Sequence, residues 1–292
     1  MLHLQYLPLL AAHPSKQSEA GFVAMITLAR PEKANALTRD MANEMRRFIK
    51  DNHKIKHIKA IVIRGAGNHF CSGIDLLWMK ESCDLSDDDK DHVAFVFSAL
   101  LKDLRSNMIP TICLIQGASV GGALGILAAC DSVICHRSST FMLKEIHHGI
   151  APWLILPYLA QAMPMRVLNR LCRSGIRMSA DDALQYGLCH MIYDDHPERV
   201  LTDEINGWLM AEPAVSHELQ NAINHMDHLG VKNWHMGKAT SSLPLETPEN
   251  RLKRTLKTKN AKLGLTSFLN KKKTPWPLRL AEKITFPDLD TL

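Results

Sequence analysis

Two rhythms of apolar positions run along this chain. Short continuous apolar runs at Phe22–Leu28, Lys59–Arg64, Thr111–Ile115, Ser132–Cys135, Thr140–Leu143 and Cys189–Tyr193 predict strands, several of them buried. Leu2–Leu10 predicts an edge strand. Between the runs, apolar residues recur every three or four positions. Thr38–Asn52 places Met41, Met45, Phe48 and Ile49 on one helical face behind a Thr38 cap. The same spacing predicts helices over His92–Arg105, Trp153–Gln161 and Pro164–Arg173. Ser179 opens another helix, with Asp182 at the capping-box position and Gly187 at its end. His13–Gly21 and the acidic Ser82–Asp91 read as loops. From Pro197 onward only the helical rhythm persists, over Val200–Met210, Pro213–His228, Pro248–Lys259 and Asn260–Lys271. Gly230–Leu245 is a long link, and Thr274–Leu292 reads as an extended arm. The pattern predicts an α/β core over 1–196 and an all-helical region over 197–292.

The chain is organised around residues 111–131, TICLIQGASVGGALGILAACD. An apolar strand meets a turn with three glycines, and the turn opens a helix of small uncharged residues, Gly122–Ala129. The first N–H groups of a helix have no partner within it, and glycine lets a ligand come close to the backbone. Such a turn suits a phosphate or a developing oxyanion. It equally suits a tight connection between two buried elements.

With 46% apolar and 22% charged residues, 292 residues can build a sizeable core. The net charge of +5 says little by itself, but its distribution is uneven: Arg251–Leu280 holds ten Lys/Arg and no Asp or Glu. That stretch is either a solvated helix face or a surface for a phosphorylated cofactor, an acidic carrier protein or RNA. Seven cysteines without a CxxC pair indicate a reduced, cytoplasmic protein with no structural zinc. LPLLAA near the start lacks a preceding basic residue, so no secretory signal is expected. No apolar run is long enough to predict a membrane span.

Six segments in order carry a resemblance: ITLARPEKANAL (26–37), HFCSGIDL (69–76), QGASVGGALGILAACD (116–131), TFMLKEIHHGIAP (140–152), RMSADDALQYGL (177–188) and SFLNKKKTPW (267–276). Together they resemble the crotonase (enoyl-CoA hydratase/isomerase) superfamily. The resemblance implies a spiral of ββα units followed by C-terminal helices that build trimers or hexamers. It implies an acyl thioester substrate, of coenzyme A or of acyl carrier protein, with coenzyme A present only as part of the substrate and no metal. It places two backbone N–H donors for the thioester oxygen at Ile74 and Gly122. Substrate contacts are implied at Lys33, Ala34, Ala36, Ser72, Gly73, Asp75, Leu76 and Gly121, and a phosphate contact at Lys271–Lys273.

Many hydratases of that family use two glutamates. The first position falls here on Gly125; the second falls on Glu145, the candidate acid/base, whose alternative role is an ion pair with Lys144. The nearest branch by likeness holds 3-methylglutaconyl-CoA hydratases and polyketide-pathway dehydratases. A dicarboxylic substrate of that kind needs a cation, for which Lys80 is the candidate, unless it is simply an exposed helix lysine. The implied activity is a hydro-lyase. An isomerase or decarboxylase on the same scaffold is the alternative; a histidine such as His225 would matter for the latter. A non-catalytic RNA-binding or partner-binding homologue is the third reading, with no nucleic-acid partner expected for the enzyme. His147 and His148 are adjacent, so on a regular element their side chains diverge and cannot both serve one site.

Overall fold

The computed structural model describes residues 1–11, 20–51, 57–86, 89, 92–229, 248–274 and 276–286. The link expected over 230–245 and residues 13–19 of the loop expected over 13–21 therefore lie outside the described residues, whereas 82–86 and 89 of the loop expected over 82–91 are described. The chain divides into two compact units. One comprises Met1–Leu9, Gly21–Ile205 and Leu280–Leu292; the other comprises Leu10–Ala20 and Asn206–Arg279.

In the first unit the strands β1 (Leu2–Ala11), β2 (Phe22–Leu28), β3 (Ile58–Gly65) and β4 (Thr111–Ile115) lie side by side in chain order. Beyond β4 lie β6 (Ser132–His136) and β9 (Met191–Tyr193). β1 and β2 are antiparallel, from Leu2↔Leu28 to Pro8↔Phe22. Every later pair is parallel, with Ile63 opposite Ile26 and Cys113, and Leu114 opposite Ile134. Parallel strands are covered on both faces, which is why Val23–Ile26, Ile61–Ile63 and Ile112–Cys113 are uninterrupted apolar runs at 0–1% exposure. β1 shows one-sided burial instead, but it is not an open edge as expected: the returning chain places the Ala281 N–H 2.9 Å from the Pro8 carbonyl, which accepts it.

A second, smaller sheet joins β5 (Ala118–Val120), β7 (Thr140–Met142) and β8 (Met178–Ser179). β5 and β7 are parallel, and Cys71 adds a single parallel bridge to Ser119. β4 and β6 are thus each followed by a short strand of the other sheet, and β3 by the Cys71 bridge to it. Helix α2 (Leu76–Ser82) follows β3 and its bridge, and helix α4 (Gly122–Ala129) follows β4 and β5. This repeated ββα step is the curled α/β architecture that the motifs imply. α1 (Arg39–Asp51) and α3 (Val93–Arg105) pack together outside the main sheet, joined also by the Arg46–Asp103 ion pair at 2.9 Å.

α5 (Leu156–Ala162) and α6 (Met165–Ser174) follow in the same unit. The helix expected from Trp153 begins three residues later, because Pro157 has no N–H to donate and fits only the first turn. α7 (Ala180–Tyr186) keeps its capping box, with Ser179 and Asp182 bonded reciprocally. α8 (Pro197–Leu209) carries the chain past Ile205.

The second unit holds α9 (Pro213–Leu229), α10 (Pro248–Leu256) and α11 (Lys259–Leu269). Arg254 on α10 pairs with Glu218 on α9, and Asn260 donates to Glu212 at 2.7 Å. The break between α10 and α11 comes at Thr258, whose hydroxyl accepts from Ala261 N–H and caps α11. Among the described residues no helix is long and apolar enough to cross a membrane.

Candidate active site

The site is assembled from four connections at the strand ends of the first unit. The first follows β2. Pro31–Lys33 forms one 3-10 turn, and Ala34 and Asn35 follow with φ of 46° and 55°. Asparagine tolerates this left-handed region, and the buried Asn35 uses it to reach across the molecule. Its amide donates to the carbonyls of Ala66 and His69, both at 2.8 Å, and its oxygen accepts from Arg30 N–H. The loop after β2 is thereby fastened to the loop after β3. Gln116 ties the loop after β4 to the same place by donating to Gly65 and Gly67 carbonyls, at 2.8 and 2.9 Å.

The second connection runs from Gly65 to Asp75. Ile74 makes a parallel bridge to Leu37, in which Leu37 N–H donates to Gly73 and Asp75 N–H donates to Leu37. The peptides on either side of Ile74 are used, and the Ile74 N–H itself is left without a protein partner among the described residues. Asp75 then caps α2: one oxygen accepts from Leu77 N–H and the other from the Arg30 guanidinium, both at 2.9 Å. Burial pushes the Asp75 carboxyl up, but Arg30 and the two backbone donors outweigh it and hold it below its usual value. Burial pushes the Cys71 thiol in this segment up to about 12, so it is no nucleophile near neutral pH.

The third connection is Gly121–Gly122, between β5 and α4. Gly121 has φ +58°, and its N–H donates to Met142 carbonyl at 2.8 Å. The Gly122 N–H, first in α4, has no protein partner among the described residues. The two glycine turns are pressed together: a Cβ built on Gly73 would stand 2.7 Å from Val120 O and 3.5 Å from Gly122 N. A Cβ built on Gly122 would stand 3.1 Å from Ile74 Cγ1.

The fourth connection is the 3-10 turn Glu145–His148 after β7. It lays the Glu145 carboxyl against Gly121, where a built Cβ would lie 2.8 Å from Oε1 and 3.1 Å from Cδ. Oε2 of Glu145 is buried with no hydrogen-bond partner. Desolvation raises its pKa, partly offset by its own backbone N–H and by His148. No ion pair joins Glu145 to Lys144 among the described residues.

One cavity of about 630 Å³ collects these pieces. Lys33, Ala36, Ser72, Gly73, Ile74, Asp75, Leu76, Gly121, Gly122 and Glu145 all line it. Two expected residues do not. Ala34 is turned into the loop, its carbonyl accepting from Ser72 N–H at 2.8 Å. Lys80 is exposed on α2 and absent from the lining; the helix offers Leu76, Leu77 and Met79 there instead. Lys271–Lys273 are exposed in the second unit, and the side chain of His225 lies outside the described residues.

Sequence reasoning missed Arg30, Leu77, Met79, Val120, Lys144 and Ile150 in the lining, and gave no role to His148. Arg30 had a signal, being a cation at a strand end immediately before proline. The others depend on side-chain direction, which periodicity alone does not supply. Gly125 lies away from the cavity lining. A Cβ built on it would stand 2.3 Å from Ile155 Cγ2 and 3.3 Å from Leu101 Cδ1, so the space a side chain would need there is filled.

A family model described as enoyl-CoA hydratase/isomerase matches residues 18–279. The chain belongs to that family. Among relatives of this enoyl-CoA hydratase/isomerase family member, the mitochondrial Delta(3,5)-Delta(2,4)-dienoyl-CoA isomerase of Mus musculus is 32% identical over 183 residues, covering 59% of this chain and 56% of the relative. The carnitinyl-CoA dehydratase of Proteus mirabilis is 32% identical over 177 residues, covering 59% of this chain and 65% of the relative. The matched part thus spans less than two thirds of the length of either relative. An enoyl-CoA hydratase structure from Shewanella pealeana superposes with a TM-score of 0.76 at 25% identity, covering 87% of this chain and 92% of the other. Human enoyl-CoA hydratase domain-containing protein 3 shares the fold, with a TM-score of 0.76 at 20% identity over 92% of this chain and all (100%) of the other.

Proposed function

We propose that this family member is a hydro-lyase that adds water to an enoyl thioester, or removes it from a 3-hydroxyacyl thioester, without a cofactor beyond the thiol carrier. The observation that carries this reading is the Glu145 carboxyl, packed on Gly121 one residue from an unused Gly122 N–H, inside a cavity shared with the unused Ile74 N–H. Reaction at the α or β carbon of a thioester puts negative charge on the thioester oxygen. Two preorganised N–H donors stabilise that charge, each by about 2.7–4 kcal/mol. Glu145, with its pKa raised by burial, is suited to hand a proton to carbon and take it back.

Lys33, at the rim of the cavity, is the proposed contact for the phosphates of coenzyme A or of a carrier's phosphopantetheine arm. A dicarboxylic substrate such as a 3-methylglutaconyl thioester finds no Lys80 in the lining; Lys144 is the available cation for its second carboxylate. The trimer or hexamer expected from the family likeness belongs to the same proposal, and light scattering on the purified chain tests it.

The alternative is a double-bond isomerase or decarboxylase, which a single free carboxylate also supports. Incubation with crotonyl-CoA and with 3-methylglutaconyl-CoA separates the two. Loss of enoyl absorbance with formation of the 3-hydroxyacyl product supports the hydro-lyase. Bond migration or carbon dioxide release without hydration overturns it.

A further inference from the structure

Resting on the hydro-lyase reading, the geometry points to His148 as the second proton-transfer group of this site, acting opposite Glu145 on the attacking water. Glu145 and His148 are the first and last residues of one 3-10 turn. Side chains at i and i+3 of such a turn eclipse, so both project to one side. Both line the cavity. The intervening His147 turns the other way, with Nε2 3.2 Å from the Ser174 carbonyl and packed on Gly175. The adjacent histidines therefore diverge, and only one of them reaches the site.

Hydration needs two proton movements, one off water and one onto the α carbon. A second carboxylate cannot enter at Gly125, because Ile155 and Leu101 occupy that space. Asp75, the other carboxylate in the lining, has both oxygens engaged by Arg30 and Leu77 N–H. The remaining basic side chains of the lining, Arg30, Lys33 and Lys144, are cationic donors with no acceptor atom. Behind the turn, α6 carries Arg166, Arg170 and Arg173 together with Cys172, whose thiol burial and Glu145 push up. Beside Glu145, His148 is the described residue of the lining whose ring offers both an acceptor and a donor nitrogen.

The step balances without any added reactant. His148 takes a proton from water as the water oxygen bonds to the β carbon. The π pair moves to the α carbon and takes the proton of neutral Glu145. The proton on His148 then returns to Glu145, directly or through one water, and the site is reset. Dehydration is the reverse.

The test is hydration of crotonyl-CoA between pH 5 and 9 by the full chain and by Glu145→Gln, His148→Gln, His148→Gly and His147→Gln. The expected result is a loss of about 10²-fold in kcat for His148→Gln, the scale of a lost general base, with KM changed less than about threefold. One limb of the pH profile disappears, imidazole in the buffer restores part of the rate of His148→Gly, and His147→Gln behaves as wild type. Wild-type kcat and pH profile in His148→Gln, or no rescue by imidazole, overturns the role of His148 while leaving Glu145 in place. Near-wild-type turnover in Glu145→Gln, or no hydration by the unmodified chain, overturns instead the hydro-lyase reading on which this role rests.

Discussion

The Glu145 carboxyl rests directly on the bare Cα of Gly121: a methyl group built on that glycine would sit 2.8 Å from Oε1. The contact joins the turn after β5 to the turn after β7. It determines where the acid points and why no side chain is tolerated opposite it.

Gly121→Ala is accordingly expected to fail twice. Its φ of +58° strains any residue with a Cβ, at about 1–3 kcal/mol. The new methyl also displaces the carboxyl. Urea denaturation should show the stability loss, and turnover of crotonyl-CoA should fall further than the unfolded fraction accounts for.

Glu145→Gln keeps the shape and removes the proton. Turnover should drop at least about 10²-fold, while thioester binding measured by calorimetry stays near wild type. Stability should move the other way. Burial raises the carboxyl's folded pKa, so charging it costs the native state free energy above the unfolded value of about 4.3. The variant should melt higher than wild type at pH 8, and the advantage should vanish below about pH 4.

The Arg30–Asp75 pair has the opposite sign. The Asp75 carboxyl is held below its usual value, so its stabilisation is present above about pH 4 and is lost as pH falls through the lower folded value. Asp75→Ala also removes the cap of α2 and should cost about 1–2 kcal/mol at pH 7. Chemical denaturation at pH 7 and pH 3 should show that difference shrinking in acid.

Restoring a carboxylate at Gly125 should not restore a two-glutamate site. Gly125→Ala already places a Cβ 2.3 Å from Ile155 Cγ2 and should destabilise by about 1–3 kcal/mol. Adding Ile155→Ala should recover part of that loss, giving a non-additive pair in a double-mutant cycle. Gly125→Glu should destabilise at least as much without raising turnover.

Much of the fold was legible in the residues. The buried parallel strands announced themselves as apolar runs, and the Ser179–Asp182 capping box formed as its spacing predicts. These are local signals, carried by neighbours in the chain. The start of α5 was misread because the apolar spacing continues back to Trp153, whereas Pro157 restricts the helix to Leu156 onward. The short strands β5 and β8 were missed because two or three residues carry no detectable period.

In the site, Lys80 was misplaced for a related reason. Leu77, three positions earlier on the same helix face, does line the cavity, but spacing does not say how far along α2 the cavity reaches, and the lining ends at Met79.

The sequence by itself determined the order of strands and helices, the two glycine turns and the presence of one carboxylate at position 145, since each depends on local chemistry. Only the tertiary structure decided that this carboxylate is half-buried against Gly121, that Ile155 fills the space beside Gly125, and that His148 rather than His147 reaches the cavity. Those outcomes depend on the directions of side chains brought together from separate turns of the spiral, and direction exists only once the chain has packed.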